Sequence, residues 1–391
     1  MNEKDLTISF FQGTDNLIQD NELGLKQIKQ KIADLSNIKN INFLFGAGVS
    51  SGSIPTMKEM VRKIENNLEN EMLVLFQELK SNNDENLEKM LGVLYSRRAA
   101  ILGVGKDITF TNSLIEVIEN QIFKEINIDV ESKKNNFELY KSFYQKVTFR
   151  NKDLSRVNIF TTNNDLFNER SLDNLNINYN NGFGGGLKRF FNPARFGYTY
   201  SRKIESSIEK FESLDNMIYL YKLHGSINWI EKEENSLFNI QEINIANTDS
   251  RPKDGVLIYP NPLKQNISLG APYSDLIREL QKKLLLPHSV LFIVGYSFSD
   301  EHLNNIIYQA LSSNSSISIV IFGDYSDKSI CKIDDKRIYK IFGKIGKDTI
   351  HYFEYIVNHL IPNLNEDKEK NVLKDFIDKL SEVESSKIKE S

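Results

Sequence analysis

The chain has 391 residues, 40% of them hydrophobic and 26% charged, with a formal net charge of −4. That is ordinary for a folded soluble protein of two or three domains, or of one large domain with an insertion, and it gives no reason to expect direct nucleic-acid binding. A single cysteine, Cys331, excludes an intramolecular disulfide and a zinc ribbon, and no apolar run approaches the ~20 residues of a membrane span.

The five histidines show no metal-ligand spacing. The N-terminus lacks a basic stretch followed by an apolar one, so a cytoplasmic rather than secreted protein is expected. Residues 23–36 place Leu25, Ile28, Ile32 and Leu35 on one helical face. Ile41–Phe45 reads as a buried strand, and Thr56 as the cap of a helix beginning near Met57. From 57 to about 150 the pattern is helical. Leu73, Leu75, Phe76 and Leu79 form one stripe and Leu87, Met90, Leu91 and Leu94 another, which predicts a helical layer inserted between the first and second strands.

Strand-like runs then follow at Val157–Thr161, Ile218–Leu223, Val256–Tyr259, Val290–Val294 and Ile317–Phe322. Several are β-branched without alternation, as in strands buried on both faces of a parallel sheet. Glu301–Ser312 has helical spacing between the last two, which makes a βαβ unit. The predicted class is therefore α/β, a Rossmann-like parallel sheet flanked by helices, with the inserted helical layer and no zinc ribbon. Residues 180–200 read as a flexible glycine-rich loop with an aromatic and basic continuation. The charged tail from 362 to 391 carries Val372, Leu373, Phe376, Ile377, Leu380 and Val383 on one amphipathic face.

Four polar clusters end apolar runs. Gly46-Ala47-Gly48-Val49-Ser50 follows a strand and precedes a helix, which suits a phosphate cradle, although it lacks the third glycine of the dinucleotide fingerprint. Thr161-Thr162-Asn163-Asn164-Asp165 offers an uncharged donor and acceptor for a ribose hydroxyl or a water; a plain Asx turn explains it equally. Leu223-His224-Gly225-Ser226 places the side chain best matched to proton transfer near neutral pH at a strand end. Gly295-Tyr296-Ser297-Phe298-Ser299-Asp300 leads into a helix, where Ser299 or Asp300 serves as a cap.

In this order, Gly-Ala-Gly-x-Ser with Pro55, Thr-x-Asn-x-Asp, Leu-His-Gly and Gly-Tyr-Ser-Phe-x-Asp, the four segments resemble the sirtuin superfamily over about residues 40–325. The form running from Gly295 to His302 looks more like the bacterial sirtuin-like proteins of antiphage defence than the protein deacetylases. The single cysteine departs from the deacetylases' four-cysteine zinc module, and Thr56-Met57-Lys58 departs from their continuation of the glycine loop.

The resemblance implies an NAD+ hydrolase without zinc, with NAD+ as its substrate. Asn163 and His224 become the catalytic pair. Gly46, Ala47, Gly48 and Ser50 line the pyrophosphate, and Asp165 supports the site. Gly295 and Ser297 hold the adenosine side, and Thr162 and Tyr296 complete the cofactor-binding set. It implies one catalytic domain over 1–361, with 57–150 as its helical insertion, followed by the tail. That tail is too short for a sensor domain, so the trigger is expected from another chain. Stand-alone proteins of this kind resemble those that pair with a HerA-type ATPase/helicase, which implies a homo-oligomer and that partner. An assembly scaffold that binds NAD or ADP-ribose with little catalysis, and an NAD-dependent deacylase or ADP-ribosyltransferase, are the competing readings.

Overall fold

The computed structural model describes residues 6–18, 21–151, 153–204, 210–232, 239–245, 251–252, 255–257 and 272–363. The predicted amphipathic tail, from 364 onward, lies outside them. The chain opens with β1 (Leu6–Gln12), β2 (Asp15–Asn16), α1 (Asn21–Ser36) and β3 (Asn40–Phe45). Five helices follow: α2 (Met57–Glu65), α3 (Asn70–Asn82), α4 (Leu87–Gly103), α5 (Thr109–Ile126) and α6 (Lys134–Val147). Thr56 begins α2 as predicted, in a capping box: its hydroxyl accepts from Glu59 N, and the Glu59 carboxyl accepts from Thr56 N at 2.7 Å.

The chain continues through β4 (Val157–Thr161), α7 (Phe167–Asn174), β5 (Asn178–Asn180), β6 (Phe183–Gly184), β7 (Arg189–Phe191), β8 (Ser201–Lys203) and β9 (Phe211–Ser213). Then come β10 (Met217–Lys222), β11 (Gly225–Glu231), β12 (Ile240–Glu242), β13 (Gly255–Leu257), α8 (Tyr273–Leu284) and β14 (Ser289–Val294). The last elements are α9 (Glu301–Ser313), β15 (Ile317–Phe322), β16 (Ile338–Ile345), β17 (Asp348–Thr349) and a short helical turn at 353–360.

The central sheet has the order β2-β1-β16-β15-β14-β3-β4-β10-β5, with β17 beside β16. From β16 to β5 neighbouring strands run parallel, while β1, β2 and β17 attach antiparallel at one edge. The fold is therefore mixed α/β, with a largely parallel sheet flanked by helices. β3, β4, β14 and β15 are buried almost throughout, which is why their sequences read as continuous apolar runs. One face packs Phe43, Phe45 and Phe292 against Phe143 of α6 and Phe353. The other packs Leu291, Ile293 and Ile319 against α8 and α9 through Leu280, Leu303 and Ile307.

The helices α2–α5 have a third core of their own around Val61, Ile64, Phe76, Met90, Leu94 and Ile118. They lie between β3 and β4, and β1 and β2 precede β3 in the chain as antiparallel strands at one edge of the sheet. The 180–200 segment is not a flexible loop. β6 and β7 form a hairpin in a second, five-stranded sheet, β13-β11-β12-β7-β6, and Phe183, Phe191 and Phe196 cluster there, with Trp229 against the first two. The described part of Val256–Tyr259, in β13, also belongs to that antiparallel sheet rather than to the parallel one. Cys331, buried in a short turn, has its thiol pushed up to about 11 by that burial, which makes it a poor nucleophile. No helix among the described residues is long and apolar enough to cross a membrane.

Candidate active site

The sheet register sets the site. Phe45 pairs with both Val294 and Thr161, and Thr161 pairs with Lys222, so the last residues of β14, β3, β4 and β10 stand in one row. Each polar cluster begins in that row or one residue beyond it. Gly46 N donates to Val294 O (3.0 Å), Thr162 N to Phe45 O (3.0 Å) and Leu223 N to Thr161 O (2.8 Å), which carries the ladder one step into the motifs. Strand order reverses about β3: the chain lays β4 and β10 on one side of it and β14 and β15 on the other. This is the position at which an open α/β sheet receives its ligand.

At the centre of the row lies a buried polar cluster. Ser50 donates its hydroxyl proton to Asp165 Oδ2 (2.8 Å), and the Asn163 side-chain amide donates to Ser50 Oγ (3.2 Å). Tyr140 lies 2.9 Å from the same oxygen. A serine hydroxyl has one proton and two lone pairs, so with that proton on Asp165 the Tyr140 phenol must be the second donor to it. Ser50 is thus saturated, and this fixes the Asn163 amide: reversed, its oxygen would compete with Asp165 for the one hydroxyl proton. The side-chain oxygen of Asn163 therefore points away from Ser50. Asn163, Asp165, Ser50 and Tyr140 are all buried. Burial pushes the Tyr140 phenol well above its usual range, and neighbouring Asp165 adds to this, so it stays a proton donor at neutral pH.

His224 lies beyond β10. Its Nε2 is 3.0 Å from Asp300 Oδ2, and both side chains are 12% exposed, enough for access without free solvation. Asn164 joins the two halves: its amide donates to His224 O (2.7 Å) and Gly225 O (3.2 Å), and its own carbonyl accepts from Ile227 N (3.1 Å). Beneath them Lys222, 1% exposed, pairs with Glu169 at 3.0 Å and donates to the Asp165 carbonyl. Burial raises the Glu169 carboxyl from its usual range, and the Lys222 charge opposes this.

The glycines have a specific use. Gly48 N donates to Gly295 O (3.0 Å). A Cβ on Gly46 would lie 2.4 Å from Gly295 O, one on Gly48 2.7 Å from Gly295 Cα, and one on Gly295 2.7 Å from Val49 N. Gly295 is also left-handed, at φ 64°. The two loops thus pack backbone on backbone. Ala47 and Gly48 are exposed at the surface of this contact, and Thr162 is half-buried. Ser297 is exposed, its hydroxyl donating to Ser299 (3.0 Å). Tyr296 is buried, and its one hydroxyl proton is shared between Asp300 O and the Asn304 side-chain oxygen, both at 3.1 Å.

The structure therefore brings Gly46, Gly48, Ser50, Asn163, Asp165, His224 and Gly295 to one edge. Tyr140, Asn164, Lys222 and Glu169 join them at this edge without being expected there. Asn164 lay inside a motif already noted. Tyr140 stands on the apolar stripe of α6 and reads as core, while Lys222 is the one charge in an otherwise apolar strand, which was a usable signal. Among the described residues no group of His, Cys, Asp and Glu side chains is arranged to hold a metal ion.

No curated protein matches the chain. Its structure is similar to that of a triple mutant of a Sir2 homologue in complex with 2'-O-acetyl ADP ribose, at 12% identity, covering 87% of this chain and 97% of that one, with a TM-score of 0.37. It is similar to a Sir2 homologue in complex with NAD at 13% identity, covering 88% and 94%, with a TM-score of 0.37. Residues 157–328, which carry Asn163, Asp165, His224, Gly295 and Asp300, match the family model described as a SIR2-like domain.

Proposed function

We propose that this chain is an NAD+ glycohydrolase that cleaves NAD+ with water to nicotinamide, ADP-ribose and a proton. The observation that carries the reading is the row itself: an oriented Asn163 amide and an imidazole, His224, at the switch point of a parallel sheet, bridged by Asn164. The match of residues 157–328 to a SIR2-like domain supports NAD as the ligand.

Breaking the nicotinamide–ribose bond leaves positive charge on the ribose, as glycoside cleavage does generally. Asn163, its amide group on Ser50, offers its oxygen to the attacking water or to a ribose hydroxyl. His224 takes the proton from a ribose hydroxyl or from that water. Ser50 and Asp165 hold the Asn163 segment, and the surface of Ala47, Gly48 and Ser297 receives the phosphates and adenosine.

Depletion of NAD in bacterial antiphage defence, by abortive infection, is the use this chemistry would serve. A homo-oligomer regulated by a HerA-type ATPase/helicase is the assembly proposed for it. The sequence form from Gly295 to His302 supports the defence role. One observation favours a second reading, a scaffold that binds NAD or ADP-ribose with little catalysis: the contact from Gly48 N to Gly295 O closes part of the glycine loop against the protein itself.

The test is release of nicotinamide and ADP-ribose from NAD, with and without the ATPase. His224→Ala and Asn163→Ala are each expected to lower the rate by roughly 10²-fold or more with the fold retained. NAD left intact by the wild type under every condition, or consumed equally by His224→Ala, would sink the hydrolase reading.

A further inference from the structure

We propose that Asp300 is a positioning residue for His224, its carboxyl group setting which imidazole nitrogen carries the hydrogen and so aligning the ring for the cleavage assigned above, a reading on which this inference rests. As the cap of α9, Asp300 needs only one oxygen: Oδ1 accepts from His302 N (3.0 Å) and Leu303 N (3.2 Å). Serine or asparagine at this position would cap as well. Only a carboxyl group supplies a second oxygen of equal charge, and here Oδ2 stands 3.0 Å from His224 Nε2. With Nε2–H donating there, Nδ1 carries the lone pair.

The main chain that carries this carboxyl group is anchored independently of the histidine. Asp300 O accepts from Asn304 N (3.0 Å) and from the Tyr296 hydroxyl (3.1 Å). The loop before it holds Phe298 at φ 55°, a left-handed conformation that bulky residues rarely adopt, with the Asn304 amide donating to Phe298 O at 3.0 Å. Strain of this kind persists only where the surroundings over-determine it, and it gathers at functional sites. The backbone of His224 is held separately, by Asn164. Substituting Asp300 should therefore remove the contact to Nε2 and leave the main chain in place.

The experiment is long-range 1H–15N NMR of the full chain with 15N-labelled imidazoles. There are five histidines, and His224→Asn identifies the signal of interest by its loss. The wild type is expected to show His224 with hydrogen on Nε2 and a bare Nδ1. Asp300→Ser, which keeps a capping oxygen, is expected to shift that signal toward mixed tautomers with little change in thermal midpoint. It should lower kcat roughly 10- to 100-fold while KM stays within about 3-fold, the pattern of an interaction realised in the transition state. Asp300→Asn should fall between the two. A His224 signal and kcat unchanged in Asp300→Ser overturn the assignment and leave Asp300 a helix cap. If the wild type does not cleave NAD, the hydrolase reading fails by itself, and the ring signal still decides whether Asp300 sets the tautomer.

Discussion

At the amino-terminal edge of the sheet, the buried Arg150 donates to Ile38 O (2.6 Å), Ser155 O (2.8 Å) and Ser36 O (3.2 Å), tying the turn before β3 to the turn before β4. At the carboxyl-terminal edge, Ser50, Tyr140, Asn163 and Asp165 bond side chain to side chain. Both edges bury polar groups. The first places its terminal guanidinium nitrogens on main-chain oxygens that every residue supplies, so the clip depends on the path of the chain and on one guanidinium. The second depends on the identity of four side chains from three separate segments, bonded side chain to side chain, an arrangement that accounts for only about 10–15% of protein hydrogen bonds. The Arg150 clip serves folding, and the Ser50 cluster fixes the atoms a ligand would meet.

The sharpest way to break this contrast is at Arg150. Burial draws its guanidinium down to about 10, still charged at neutral pH, and Arg150→Met strands several carbonyls at once. We expect a loss of about 3 kcal/mol or more, read from denaturant midpoints, with NAD turnover per folded molecule unchanged. A variant as stable as the wild type would refute the clip. Ser50→Ala should cost less stability, about 1–3 kcal/mol, because it removes the shared partner of Asn163, Tyr140 and Asp165. Its turnover should nevertheless fall at least 10-fold, since the Asn163 amide loses its orientation; full activity would place the cluster with the clip as a structural element. Thr56→Ala removes a cap on the outer helical layer, with an expected cost of about 1 kcal/mol and no change in turnover, checked by thermal melting and NAD assay together.

Much of this was legible in the sequence where one physical signal dominated. Val157–Thr161 and Ile317–Phe322 are strands over those same residues because continuous apolar runs of that length have few alternatives in a buried sheet. Thr56 and Asp300 were readable as caps. What escaped lacked periodicity or had two uses. β6 and β7 span two and three residues, too short to show alternation, so a packed hairpin read as a flexible loop. In β16, Lys340 interrupts an apolar run, yet it is buried with its amine on Cys331 O at 2.7 Å. Asp300 looks like a cap because one oxygen is capping, and local sequence carries no information about where the other oxygen points. Tyr140 meets Ser50 across ninety positions of sequence, a contact that spacing cannot encode.

The shared row of β14, β3, β4 and β10 makes the site a matter of counting. One residue added within any of these strands would carry its motif about 3.3 Å past the others and turn each side chain to the opposite face. The connections between strands face no such arithmetic: the whole helical layer from Met57 to Val147 fits between Phe45 and Val157 without disturbing the alignment. Lineages of this architecture should therefore vary in the length of their connecting segments outside the strand-end motifs and α6, while the lengths of these four strands stay fixed.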